Sequence, residues 1–150
     1  MNQVEDRNYT NQTRIKRPVA DVYSAIVSSE TITKYFTDKT SGPLVEGEKV
    51  IWFWEGWGDH PVIVRKVTEN KLIHIELDSK EWKKTEDVAY PVAVIFEFEE
   101  TEGGTLLKIS EQGWRTDKSG LRGSHDNCSG WTHMAICLKV FLEHGIDIRK

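Results

Sequence analysis

Six tryptophans in 150 residues is a high count, and three of them, Trp52, Trp54 and Trp57, fall within one strand and its turn. Large aromatic rings either fill a core or line a pocket. Trp52 and Trp54 share one strand face, and Trp131 opens a long apolar helical pattern. Together these three could stack on an apolar ligand, or they could simply pack against one another. Glu111 is the second candidate. It falls in register with Leu107 and Ile109, so strand alternation turns its carboxylate inward. A carboxylate facing an apolar space has a raised pKa or a partner, and could hydrogen-bond a ligand; a solvated strand end is the plainer reading.

Two His/Cys pairs have helical spacing, His125 with Cys128 and His133 with Cys137. These are metal-ligand types, but the pairs lie on different faces, and no CxxC or HExxH motif accompanies them. Core thiols beside surface imidazoles, with no metal, is the expectation. Ser124-His125-Asp126 are adjacent in sequence, whereas a catalytic triad needs convergence in space. His60 and His74 stand alone. No catalytic constellation emerges; Glu111 or His125 is the weak candidate for acid/base chemistry.

The elements that must position these residues can be read from periodicity. Cys128, Trp131, Ala135, Leu138 and Leu142 recur at spacings of three and four, with Met134, Cys137 and Phe141 beside them, which predicts an enclosed amphipathic helix over 126–144. Ser124 or Asp126 is its expected cap, and Gly145 its stop. Residues 114–123 read as a polar, glycine-containing loop. Tyr9 and Ile15 mark a first strand. Pro18 opens a short helix with Val19, Val22 and Ile26 inward, and Ser28 or Ser29 starts a second. From residue 40 onward the pattern is strands and turns. Val50, Trp52 and Trp54 alternate, as do Ile73, Ile75 and Leu77, and then Val92, Val94, Phe96 and Phe98. The charged stretch around Trp82 reads as an exposed loop.

The totals narrow the function classes. The net charge is −4, with Lys and Arg dispersed, so there is no basic footprint for nucleic acid. No apolar run approaches the ~20 residues that span a bilayer. The polar segment from Met1 to Arg7 shows no secretory signal. Cys128 and Cys137 would lie ~13 Å apart along one helix, too far for a disulfide. One soluble cytoplasmic domain over residues 1–150 is expected.

The order of one strand, two short helices, a run of antiparallel strands and one long terminal helix is the α+β helix-grip arrangement. Pro18-Val19-Ala20-Asp21-Val22-Tyr23, Ile32-Thr33-Lys34-Tyr35-Phe36, Glu46-Gly47-Glu48, Gly130-Trp131-Thr132-His133 and the segment from Leu138 to Gly145 carry a further likeness. With them the chain resembles the SRPBCC (START-like) superfamily, in the branch named for the C-terminal domain of the activator of heat-shock protein 90 ATPase. The resemblance implies a curved sheet gripping the helix, with a cavity between. Its members include lipid and hormone binders, some cyclases and hydroxylase subunits, and the chaperone activator, so fold alone does not select a function. The preferred expectation is non-enzymatic binding of a small hydrophobic molecule, lipid-like or aromatic, without a cofactor. Trp52, Trp54, Ile75, Phe96, Ile109, Glu111, Cys128, Trp131 and Ala135 would contact it. The alternative is a protein-interaction module acting on a chaperone or stress-response partner through the outer sheet face or the Trp82 loop.

Overall fold

The computed structural model describes residues 6–150; residues 1–5, the start of the polar segment noted above, lie outside them. Seven antiparallel strands form one curved sheet in the order β1-β7-β6-β5-β4-β3-β2. They are β1 (Tyr9–Ile15), β2 (Lys39–Thr40), β3 (Lys49–Trp54), β4 (Gly58–Thr68), β5 (Leu72–Asp78), β6 (Pro91–Thr101) and β7 (Gly104–Gln112). The helices α1 (Val19–Val27) and α2 (Ser29–Ile32) follow β1, and α3 (Lys118–His144) closes the chain. The architecture is the α+β helix grip expected from the sequence. No helix among the described residues is long and apolar enough to cross a membrane.

Strand alternation sets which residues reach α3. Val50, Trp52, Ile73, Ile75, Leu77, Val92, Val94, Phe96, Leu107 and Ile109 are buried on the concave face, and α3 covers them with Trp131, Met134, Ala135, Cys137 and Leu138. Trp131 meets Phe96 edge-to-face at 5.5 Å and Trp52 at 6.3 Å, so helix and sheet interlock through rings. Ser28 caps α2 by accepting from the Thr31 N–H.

The start of α3 departs from the sequence expectation. The helix begins two turns earlier than residue 126, and its cap is Asp117, which accepts from the Gly120 N–H at 2.8 Å. Residues 118–123 are helical rather than loop. Gly120 and Gly123 broke the apolar rhythm there, and both are required by close packing. A Cβ on Gly120 would meet the Arg115 carbonyl oxygen at 2.0 Å, and one on Gly123 would meet the Trp114 ring at 2.6 Å. At the other end Gly145 takes a left-handed φ of 69° and donates to the Phe141 carbonyl, as a helix stop should.

Candidate functional site

A cleft of about 460 Å³ opens between the N-terminal half of α3, the β3–β4 hairpin and the segment after β5. Its walls are aromatic: Tyr35 and Phe36 follow α2, Trp54 and Trp57 come from the hairpin, Trp82 from the segment after β5, and Trp131 from α3. The rings brace one another. Phe36 packs on Trp54 at 5.0 Å and on Trp131 at 5.8 Å, and Trp82 lies 5.9 Å from Trp131. Trp57 is the exception, 70% exposed at the hairpin tip on the cleft's edge. Lys84, Asp126, Ser129 and His133 add polar atoms to the lining.

Each inner tryptophan has its N–H spoken for by the protein. Trp54 Nε1 donates to the Phe36 carbonyl and Trp82 Nε1 to the Pro61 carbonyl, both at 2.8 Å. Trp131 Nε1 donates to Glu111 at 2.9 Å. These bonds fix the ring orientations and leave carbon surface to the cleft. The chain's end supports the same wall: Arg149 donates to the carbonyls of Phe36 at 2.6 Å and Thr33 at 3.2 Å, and pairs with Asp147 at 2.8 Å.

His60 also lines the cleft, with its ring edge-on to Trp54 at 5.2 Å and to Trp82 at 5.1 Å. Burial holds its pKa below the ordinary histidine value, and nearby Lys83 and Lys84 push the same way. The imidazole is neutral at pH 7. Cys137 Sγ lies 3.4 Å from His133 Nε2, and burial pushes its thiol pKa up, so the thiol stays protonated. Among the described residues no three His, Cys, Asp or Glu side chains gather into a group that could hold a metal ion.

Behind the cleft, Glu111 is fully buried and holds three neutral donors. Trp114 Nε1 reaches Oε1 at 2.7 Å, while Asn127 Nδ2 and Trp131 Nε1 both reach Oε2 at 2.9 Å. Burial raises its pKa, and the hydrogen bonds oppose that rise. Tyr9 stands opposite Glu111 in the β1–β7 register. Its hydroxyl is sealed without a well-formed hydrogen bond, and burial followed by the Glu111 charge pushes its pKa upward.

Of the residues singled out from the sequence, Trp54 and Trp131 line the cleft. Trp52, Ile75, Phe96, Ile109 and Ala135 do not; they are the packed core behind it. Glu111 does not line it either, because its oxygens are turned to Trp114, Asn127 and Trp131. Cys128 is half-buried on α3 away from the lining, and His125 is exposed outside it. The Trp82 loop is also corrected: Trp82 is only 7% exposed. Asp78 Oδ1 accepts from the Lys80 and Glu81 N–H groups, tightening the turn that swings the indole inward. Sequence reasoning passed over Tyr35, Phe36, His60 and Trp82 as lining residues. The Tyr35-Phe36 pair beside a tryptophan-rich strand was the available signal; nothing local marked His60.

The fold has many solved counterparts. Protein SSP2350 from Staphylococcus saprophyticus superposes with a TM-score of 0.74 at 25% identity, over 93% of this chain and 94% of that one. The Aha1 dimer from Colwellia psychrerythraea gives 0.74 at 21% identity, over 91% and 96%. DynU16, a putative protein in the dynemicin biosynthetic locus, gives 0.76 at 15% identity, with 91% of this chain matching 47% of that one. The latter two show the fold alone. A comparison with curated proteins finds no match. The model of the family described as "Activator of Hsp90 ATPase homolog 1-like protein" matches residues 16–143, nearly the whole chain, and the protein belongs to that family.

Proposed function

We propose that this chain acts as a single cytoplasmic domain that binds a small, flat hydrophobic molecule, aromatic or lipid-like, and does no chemistry on it. The observation that carries the reading is the cleft itself: about 460 Å³ walled by braced aromatic rings whose N–H groups are already satisfied. That volume falls within the ~300–1,000 Å³ of small-molecule sites. Binding would draw on apolar burial at about 25 cal/mol per Å². The free thiols of Cys128 and Cys137 suit a reducing compartment. Titration with flavonoids, sterols and fatty acids should produce a saturable change in tryptophan emission for at least one class, because Trp54, Trp82 and Trp131 border the ligand. A flat response from all three would count against the reading.

The family match supports a second reading, a module that modulates a chaperone's ATPase. It would use the outer sheet face, since Trp82 is turned into the cleft. Adding the purified domain to a chaperone ATPase assay separates the two: stimulation that persists with the cleft blocked favours this one.

A further inference from the structure

We propose that the cleft selects phenols: a flat aromatic ligand whose hydroxyl group donates to His60 Nε2. The inference deepens the binding reading above and rests on it. His60 Nδ1 lies 3.1 Å from the Gly58 carbonyl oxygen, which can only accept, so Nδ1 carries the hydrogen. In the neutral ring Nε2 then keeps its lone pair. Nε2 has no hydrogen-bond partner among the described residues. The imidazole borders the cleft, held between two tryptophan rings.

The surroundings decide what kind of donor fits. The N–H groups of Trp54, Trp82 and Trp131 are spent on Phe36, Pro61 and Glu111, so these rings present carbon to the cleft. An aromatic ligand gains stacking and edge contacts there that a saturated one of equal size does not. Lys83 and Lys84 act on His60 as nearby positive charges and outweigh the smaller opposing effect of Asp59. They disfavour an ammonium donor and tolerate a hydroxyl, most of all one with the acidity of a phenol. Apolar surface for the ring, an unpaired acceptor for the hydroxyl and a net positive bias at His60 together describe a phenol.

Calorimetric titration with naphthol, naphthalene and decahydronaphthol tests this on the full chain. In the wild type naphthol should bind about tenfold more tightly than naphthalene, the contribution of one hydrogen bond, and more tightly than decahydronaphthol. In His60→Phe naphthol and naphthalene should bind alike. His60→Gln, which offers a carbonyl oxygen, should recover part of the preference. His60→Leu repeats the comparison should the phenylalanine variant not fold. Equal binding of naphthol and naphthalene by the wild type would overturn the inference and leave apolar binding standing. So would a hydroxyl preference that survives in His60→Phe, or decahydronaphthol matching naphthol. If none of the three binds, the binding reading falls together with this one.

Discussion

Glu111→Ala is expected to lower the unfolding free energy by about 3–5 kcal/mol. For a chain of this size that is a fall in melting temperature on the order of 10 °C. The substitution strands two indole N–H groups and one amide inside the protein, where each loses its only acceptor among the described residues. It also unties three parts of the chain at once: β7, the Trp114 segment and α3. Glu111→Gln should cost less, about 1–3 kcal/mol. Its carbonyl can serve one side, but its amide nitrogen faces an indole donor on the other. The pH dependence has a definite sign. Burial raises the Glu111 pKa above its ordinary 4.5, so the folded state holds this proton more tightly than the unfolded chain does. The stability that comes with it is complete below the unfolded pKa and is lost as pH rises through the folded one. Urea melts should therefore show the wild type losing stability relative to Glu111→Gln as pH climbs from 4.5 toward neutrality. Equal melting of wild type and Glu111→Ala would show that the three-donor cluster is not holding helix to sheet.

These effects explain why Glu111 was half legible in the sequence. Period-two alternation through Leu107 and Ile109 carries the carboxylate inward, because a strand has only two faces. Its partners could not be read, since Trp114, Asn127 and Trp131 converge on it only after α3 docks. The same split holds elsewhere. The inner faces of β3, β5 and β6 and the apolar stripe of α3 follow from local periodicity. The first two turns of α3 do not, because Gly120 and Gly123 were set by close approach to the Trp114–Arg115 backbone and ring rather than by helical rhythm. Trp82 looked exposed because its neighbours are charged, yet Lys80, Glu81 and Lys83 stay outside while the indole turns in. His60 has no sequence signature at all; its place comes from the hairpin that brings it between Trp54 and Trp82.

Gly130→Leu should weaken ligand binding while leaving the protein more stable. Gly130 lies on α3 at the cleft, and a Cβ there would meet nothing within 4 Å. Glycine inside a helix costs about 0.5–1 kcal/mol relative to a good helix former, so the replacement should stabilise the fold by about that much. The leucine side chain then occupies space a ligand needs. Forcing both into the cleft carries an overpacking cost of about 1–3 kcal/mol, which weakens binding by up to roughly a hundredfold. A Glu111 or Trp131 substitution disturbs fold and cleft together, whereas this one separates them.

If the aromatic cleft takes up a flat apolar molecule, wild type and Gly130→Leu must part company when titrated side by side with naphthol and followed by tryptophan emission and calorimetry. Saturable, one-to-one binding by the wild type is expected, with a large loss in the variant, whose melting temperature is no lower. Binding of equal strength in both proteins, or no saturable binding by the wild type, would contradict that uptake.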